Sequence, residues 1–461
     1  MMRDSRLRFA PLAVRVVLVV GLGLVVPARA WAFGETITDV RILDNQRTDE
    51  ATVRSIAGVS ARDTLDVDTL DKVRERLNTS GLFSDVNVWW EPAGEGVRIN
   101  ISVKDKFPWA PVPTASFSAN NKSFGLLFVH GNLFGRGKQL VLGGRISSID
   151  SGAVIGYRDP ALFGSWAYWG LTAWIQNQVI PEYDDASDVG NPTLLREDHL
   201  FGYGIEPALG IAWLRRVKTQ FAWRFEQIND NGSTDPIGMT MPPHATNGGF
   251  VGTGRASLTF DFRAREFAVM HGAALYLGLD SSSPTFGSDF NYWRAGASWE
   301  HGIRFFRQHN LVYYVGANTG HNLPFWAENT AGGPNLRGYL TQQFRGDTGA
   351  FGKLEYHFPL FSISSLDFRA LVFYDAAAIW YREDPTGGMA ATAGYFPGRM
   401  TNDGRVFPAS AHQGFGTDSL HHDIGGGLRF FLRSVAVPLV GFDAGYNLEA
   451  HNWRFILIIG A

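Results

Sequence analysis

The chain contains no cysteine. That excludes a disulfide framework, thiolate catalysis and a lipid-anchored N-terminal cysteine. Neither sign of charge is in excess: 41 Lys+Arg face 44 Asp+Glu, a net charge of −3, so bulk charge carries no footprint of nucleic acid. Beyond the N-terminus there is no apolar run long enough for a spanning helix, so any membrane form of the chain must be a barrel. No G-x-S-x-G elbow occurs, which removes the usual hydrolase nucleophile. The HHD at 421–423 alternates faces on a strand, brings no further ligand set with it, and reads as surface histidines. No metal, no cofactor and no enzymatic role is expected.

What is present begins with a secretory signal. Arg3, Arg6 and Arg8 precede the apolar run VRVVLVVGLGLVV at 14–26, and the small residues of ARAWA follow at 28–32. Residues 1–32 are read as a signal peptide cleaved near Ala30 or Ala32. The alternative, an N-terminal membrane anchor, needs a run of roughly 20 residues, and this one is shorter.

Residues 35–105 read as one small mixed domain. TITDVRIL (36–43) alternates as a strand, and 48–57 and 66–79 carry helical periodicity. In the second helix Leu70, Val73 and Leu77 share a face, Asp66 and Asp68 suit its start, and Gly81 its end. VNVWW (86–90) and VRINISV (97–103) complete a βααββ order.

From residue 110 to 461 the helical period is gone. In 216–227, Val217, Phe221, Trp223 and Phe225 oppose Arg216, Lys218, Gln220, Arg224 and Glu226. In 255–263, Ala256, Leu258, Phe260 and Phe262 oppose Arg255, Asp261 and Arg263. Such strands run to ten residues or more, the length a tilted membrane strand needs. Short connectors (132–137, 159–164, and near 215, 265, 306, 361 and 434) alternate with long ones (177–198, 229–249, 321–346 and 381–418). Outer-membrane barrels show this asymmetry. The expected fold is an all-β transmembrane barrel of about 16 antiparallel strands behind one small α+β domain. Trp166, Tyr168, Trp299, Trp380 and Trp453 suit interfacial girdles.

Leu77, Gly81, Phe83, Val86 and Val88 in LNTSGLFSDVNV form a helix-to-strand junction that resembles a POTRA domain. GNLFGRG (131–137) with YRDPALFG (157–164), GGPNLRGYL (332–340), GKLEYHFPL (352–360) and FRALVFYDAAAIW (368–380) follow in order. Together they resemble the BamA/TamA superfamily of outer-membrane assembly and translocation proteins, also called the bacterial surface antigen family. Two features depart from it: there is one POTRA domain, and the last residue, Ala461, is not aromatic, the nearest aromatics being Trp453 and Phe455.

The resemblance implies that the sixth outer loop, here 321–346, folds into the barrel and that its arginine meets acids on nearby strands. The alternation agrees independently. Leu366, Phe368, Ala370, Val372, Tyr374 and Ala376 share one face, so Asp367, Arg369 and Asp375 face the lumen. Leu354, Tyr356 and Phe358 likewise leave Lys353, Glu355 and His357 inside. The expected latch is Arg337 with Glu355 and Asp375, assisted by Gly338 and Tyr339, the glycine letting the backbone approach the wall.

The family likeness implies insertion or translocation of unfolded outer-membrane or secreted polypeptides, with outer-membrane lipid around the barrel, the POTRA domain in the periplasm, and room for periplasmic accessory proteins. Clients would add to the POTRA edge strand at Val86, Val88 and Trp90. They would leave through the barrel or through a seam between the first strand, near 112–119, and the last, about 452–460. Pro113, Ser116, Phe455 and Ile456 mark that seam, because proline removes a ladder donor. Nucleic acid is not an expected partner. The alternative is a passive pore or structural surface barrel that keeps the scaffold, with Arg216, Lys218, Arg224, Arg255 and Arg263 as part of its polar lining.

Overall fold

The computed structural model describes residues 34–162, 166–184, 189–214, 216–234, 240–241, 248–266, 268–382, 394–395, 412–432 and 438–460. Residues 1–32, read above as a signal peptide, Ala461, the tip near 434 and most of 381–418 lie outside the described residues.

The small domain follows its alternation. Strand β1 (Ile37–Leu43), helices α1 (Glu50–Ala57) and α2 (Thr69–Thr79), and strands β2 (Phe83–Ala93) and β3 (Gly96–Asp105) occur in that order. The sheet order is β1-β3-β2, with β1 and β3 parallel and β2 and β3 antiparallel. One face packs under the helices: Val53, Val73 and Leu77 meet Ile37, Val86, Val88, Ile99 and Ile101 in a single buried core. The outer edge of β1 is partly covered, since residues 62–65 hydrogen-bond to Gly34, Glu35 and Ile37. Among the described residues β2 has no backbone partner on its outer side, where Arg74 Nη2 donates to Val88 O at 3.3 Å, and it is left as the open edge.

Strand β2 corrects one expectation. It is an edge strand, but Val86 and Val88 are buried in the core and Trp90 packs against it. Side chains alternate, so the residues an incoming strand would meet on the solvent face are Asn87 and Trp89, and Trp89 is exposed.

The domain is bolted to the first turn of the barrel, 134–137. Asp49 N–H donates to Gly135 O at 2.9 Å, and Asn132 Nδ2 donates to Thr48 Oγ1 at 2.8 Å. Asp105 holds the other side, accepting Gln46 N–H at 2.7 Å, Arg47 N–H at 2.8 Å and the Thr48 hydroxyl. Burial works to raise its pKa, but these three donors outweigh burial and hold it below the ordinary carboxylate value. A depressed folded pKa gives stability that is present above the unfolded value of about 3.9 and lost as pH falls through the folded one. Amide exchange at Gln46 and Arg47 is therefore expected to accelerate on acidification. In Asp105→Asn it should be fast already at neutral pH and should respond little to acid.

Sixteen antiparallel strands close the barrel, from Trp109–Phe117 to Trp453–Ile459. The outward parity is apolar, as in Phe124, Leu126, Ile155, Ile175, Phe221, Trp223, Leu354, Val372 and Ile424, which gives the face a bilayer requires. Tyr168 departs from the girdle expectation. It lies on the inward parity, 4% exposed, with the Arg158 guanidinium 4.4 Å from its ring centre, while its neighbours Trp169 and Leu171 face out. The connector at 177–198 is also shorter than read, because strands Ala167–Asp184 and Thr193–Leu214 stay paired as far as Asp184 and Thr193. They outgrow the 9–11 residues that a bilayer crossing needs.

Candidate functional site

The segment 322–347 leaves strand His309–His321, enters the barrel and returns to strand Thr348–Ile363. It touches two sectors of the inner wall. At its start, Leu323 and Phe325 pack with Ile180, Leu200, Ile228, Val251 and Tyr292. At its far end, Leu336, Tyr339 and Phe344 pack with Ala377 and Ile379. Between them, Arg345 pairs with Glu328 at 3.2 Å and donates to Phe325 O at 2.7 Å. The loop is thus a crossbar held by apolar contacts at both ends and pinned to itself in the middle.

Arg337 is the second kind of anchor. Its Nε and Nη2 donate to the two oxygens of Asp375 at 2.7 and 2.8 Å. Nη2 also lies 2.8 Å from Glu355, and Nη1 3.3 Å from Asp443. The planar fork suits this bidentate geometry. Beneath it, the Phe373 ring centre is 3.4 Å from the guanidinium carbon. Burial alone would lower the Arg337 pKa, and the carboxylates, Asp375 foremost, more than offset that, so the group is held charged.

Gly338 allows the approach. A Cβ there would stand 2.7 Å from Asp423 Cβ and 3.2 Å from the Asn447 backbone. Its N–H donates to Asp423 Oδ2 at 2.8 Å. Gly445 mirrors it on the wall, where a Cβ would lie 2.8 Å from the Arg337 carbonyl carbon. The Tyr339 hydroxyl donates to His422 O at 3.3 Å.

All five expected latch residues meet at one place. Three participants were missed. Phe373 was passed over although it shares the parity of Asp375, and Asp443 and Asp423 lie far downstream in GFDAG and HHDIG. The HHD reading is corrected as well. Only His422 faces outward, bonded to the Tyr374 hydroxyl at 3.0 Å. His421 is buried, stacked on Phe344 at 3.6 Å and 3.2 Å from Glu449, because the inserted loop covers it. Among the described residues no group of His, Asp and Glu is arranged to hold a metal.

Among the described residues the seam joins the first and last strands through three pairs: Ala115↔Ile459, Ser116↔Ile458 and Phe117↔Leu457. The other barrel neighbours share seven or more. The ladder stops where the last strand ends at Ile459, short of Pro113, which has no N–H to offer. Ser116 faces the lumen opposite Ile458, Ile456 is buried one step further along the same face, and Phe455 points outward onto Phe442. A clasp reinforces this short ladder. Asn120, in the first outer turn, binds the Tyr183 hydroxyl at 2.8 Å and exchanges hydrogen bonds with Thr341 of the crossbar. Gly190 O accepts from Asn452 at 3.0 Å and from Arg454, both beside the last strand's start. The hairpin containing Tyr183 and Gly190 therefore grips both sides of the seam.

Most of the basic lumen residues are neutralised. Arg224 and Arg255 bind Glu206 at 3.0 and 2.7 Å, Arg255 also binds Asp280 at 3.0 Å, and Arg263 binds Asp261 at 2.8 Å. This wall is a set of internal ion pairs rather than a positive channel.

Residues 132–430 match the family described as the Omp85 superfamily domain, and 35–106 match the surface antigen variable number repeat, a POTRA repeat. The chain belongs to the Omp85 superfamily. Among solved structures, this Omp85 chain is similar to BamA from Haemophilus ducreyi lacking POTRA domains 1–3. The TM-score is 0.63 at 13% identity, over 92% of this chain and 84% of that one. It is also similar to CdiB from Acinetobacter baumannii, with TM-score 0.58, 14% identity and coverage of 92% and 74%. CdiB from Escherichia coli gives TM-score 0.56 at 11% identity, over 94% and 92%. No curated protein matches the chain. Membership in Omp85 points to outer-membrane protein insertion or secretion, and the apolar outer band is consistent with that membrane.

Proposed function

We propose that this Omp85 barrel inserts or secretes polypeptide clients and performs no catalysis. The POTRA domain lies in the periplasm and takes an extended client by strand addition along the open edge of β2. The barrel then releases the client through the seam. The observation that carries this reading is the seam itself, three residue pairs in a wall whose other joints have seven or more. Outer-membrane lipid surrounds the barrel, and periplasmic accessory proteins have access to the same POTRA edge.

A passive pore is less well supported, since the crossbar occupies the lumen and is anchored on two sectors of its wall.

Because native cysteine is absent, a single thiol in Asn87→Cys reports only the edge of β2. Crosslinking from that position in living cells, followed by mass spectrometry, is expected to capture barrel or secreted polypeptides, and heat-modifiable gel migration should place the folded protein in the outer membrane. Recovery of native protein from the soluble periplasm, or an edge that captures no polypeptide, would overturn the proposal.

A further inference from the structure

Arg196, Arg337, Arg345 and Arg369 are the buried arginines among the described residues. A charge taken out of water is costly unless it is paired. Arg196 has Glu182 at 3.1 Å, Arg345 has Glu328 at 3.2 Å, and Arg337 has the latch acids. Arg369 is the exception. It is 5% exposed, its Nη2 donates to Gln308 O at 2.5 Å, and its Nε has no partner. Asp367 acts on it only through space. This guanidinium lines a cavity of about 300 Å³. The cavity sits by the turn at 306–308, on the same end of the barrel as the turn at 134–137 that holds the POTRA domain, since both turns follow an even-numbered strand. A local misfit of the strands opens it. The ladder between His309–His321 and Thr348–Ile363 ends at Asn310↔His357. Residues 358–363 run on past that turn, and among the described residues they pair only with Leu366–Trp380. The notch that remains is lined by Arg304, Arg307, Gln308, Pro359 and Arg369. Arg304 is bound to Glu266, whereas the exposed Arg307 side chain has no acid beside it among the described residues.

We infer that this notch binds the phosphodiester of a glycerophospholipid from the adjoining leaflet. Three arginines line it against two acids, Glu266 and Asp367, which leaves one positive charge in excess. A phosphodiester carries the single negative charge that balances it. The guanidinium fork suits phosphate oxygens, and Arg369 has its Nε available for one. The surroundings select a lipid over other anions. Phe306 is 81% exposed at the turn, and Leu360, Phe361 and Ile363 are exposed beside it. Phe361 and Ile363 lie opposite Phe368 and Leu366 on the outward parity. Phe305, Phe306, His309 and Tyr356 form one aromatic group at the same level, the place of an interfacial girdle. The notch therefore lies at headgroup depth, with an apolar rim for the acyl chains. An acidic side chain or a free phosphate would use the arginines and leave that rim bare. The inference rests on the membrane location of the barrel and is independent of how clients are handled.

The test is native mass spectrometry on the full-length protein in detergent. Dioleoylphosphatidylglycerol is the probe, and dioleoylglycerol is the same lipid without its phosphate. One phosphatidylglycerol is expected to bind ahead of all others, and dioleoylglycerol is not. Arg307→Gln and Arg369→Gln are each expected to weaken that first binding about tenfold, the scale of one hydrogen bond to a charged group. Lys218→Gln, in another sector of the wall, should leave it unchanged. Without lipid, Arg369→Gln should melt no lower than the parent, because it removes an unpaired buried charge and strands no partner. Added phosphatidylglycerol should then raise the melting temperature of the parent and not of the variant. Heat-modifiable migration checks that each variant is folded. Four results would overturn the inference: unchanged binding by both arginine variants, equal uptake of dioleoylglycerol, occupation by inorganic phosphate with no preference for the lipid, or a lipid-free Arg369→Gln that melts well below the parent.

Discussion

Arg337→Ala is expected to lower barrel stability by about 3–5 kcal/mol, the scale for removing one member of a buried ion cluster. The size follows from what is stranded. Asp375 is fully buried, Asp443 nearly so, and Glu355 half-buried, and all three face the vacated space. Arg429 still neutralises Asp443, and His357 still bonds Glu355, so Asp375 bears most of the loss. Arg337→Lys should recover only part of it, because an ammonium cannot serve both Asp375 oxygens in a fork. The measurement is a denaturant or thermal midpoint in detergent for Arg337→Ala, Asp375→Asn and the pair. Strong coupling in that cycle is the expected result, and simple additivity would mean that the two side chains do not act together.

The second large effect is at the seam. Ser116 and Ile458 are direct partners across the first and last strands. Cysteines at both positions should oxidise to a disulfide, since opposed strand residues lie within the roughly 7 Å that a bridge allows. With the wall locked, client release is expected to stop, and a reductant should restore it. The fold should be unaffected, because the bridge only repeats an existing contact. Release that continues through an oxidised seam would mean clients leave by the lumen. Loosening the clasp instead, with Asn120→Ala, should ease opening. The ladder of three pairs would then lose the bond to Tyr183 that helps hold its outer end.

Much of this was legible in the residues because a strand's period is two. Once Leu354 and Val372 are placed against lipid, Glu355 and Asp375 must face in, and GGPNLRGYL supplies an arginine to meet them. The same rule was applied too narrowly elsewhere. Phe373 has the parity of Asp375 yet is apolar, so it did not stand out as a lumen group. Asp423 and Asp443 were out of reach for a different reason: which strands surround the loop depends on barrel closure, and register is not written in any single strand. On the POTRA domain Val86, Val88 and Trp90 lie on an edge strand, where they alternate into the core and Trp89 outward.

The latch also has a position in time. Arg337 precedes Asp375 by 38 residues and Asp443 by 106. Contacts this distant form slowly, because the chain between them must be ordered first. Asp443 lies on the fifteenth of sixteen strands, so the complete cluster cannot assemble until the wall is almost finished. The apolar start of the loop and the Arg337–Asp375 pair draw on other strands, so the contact with Asp443 is what completes its anchoring. Protection of the Gly338 amide, which Asp423 receives, would then serve as a clock for closure, reporting the last stage rather than the first.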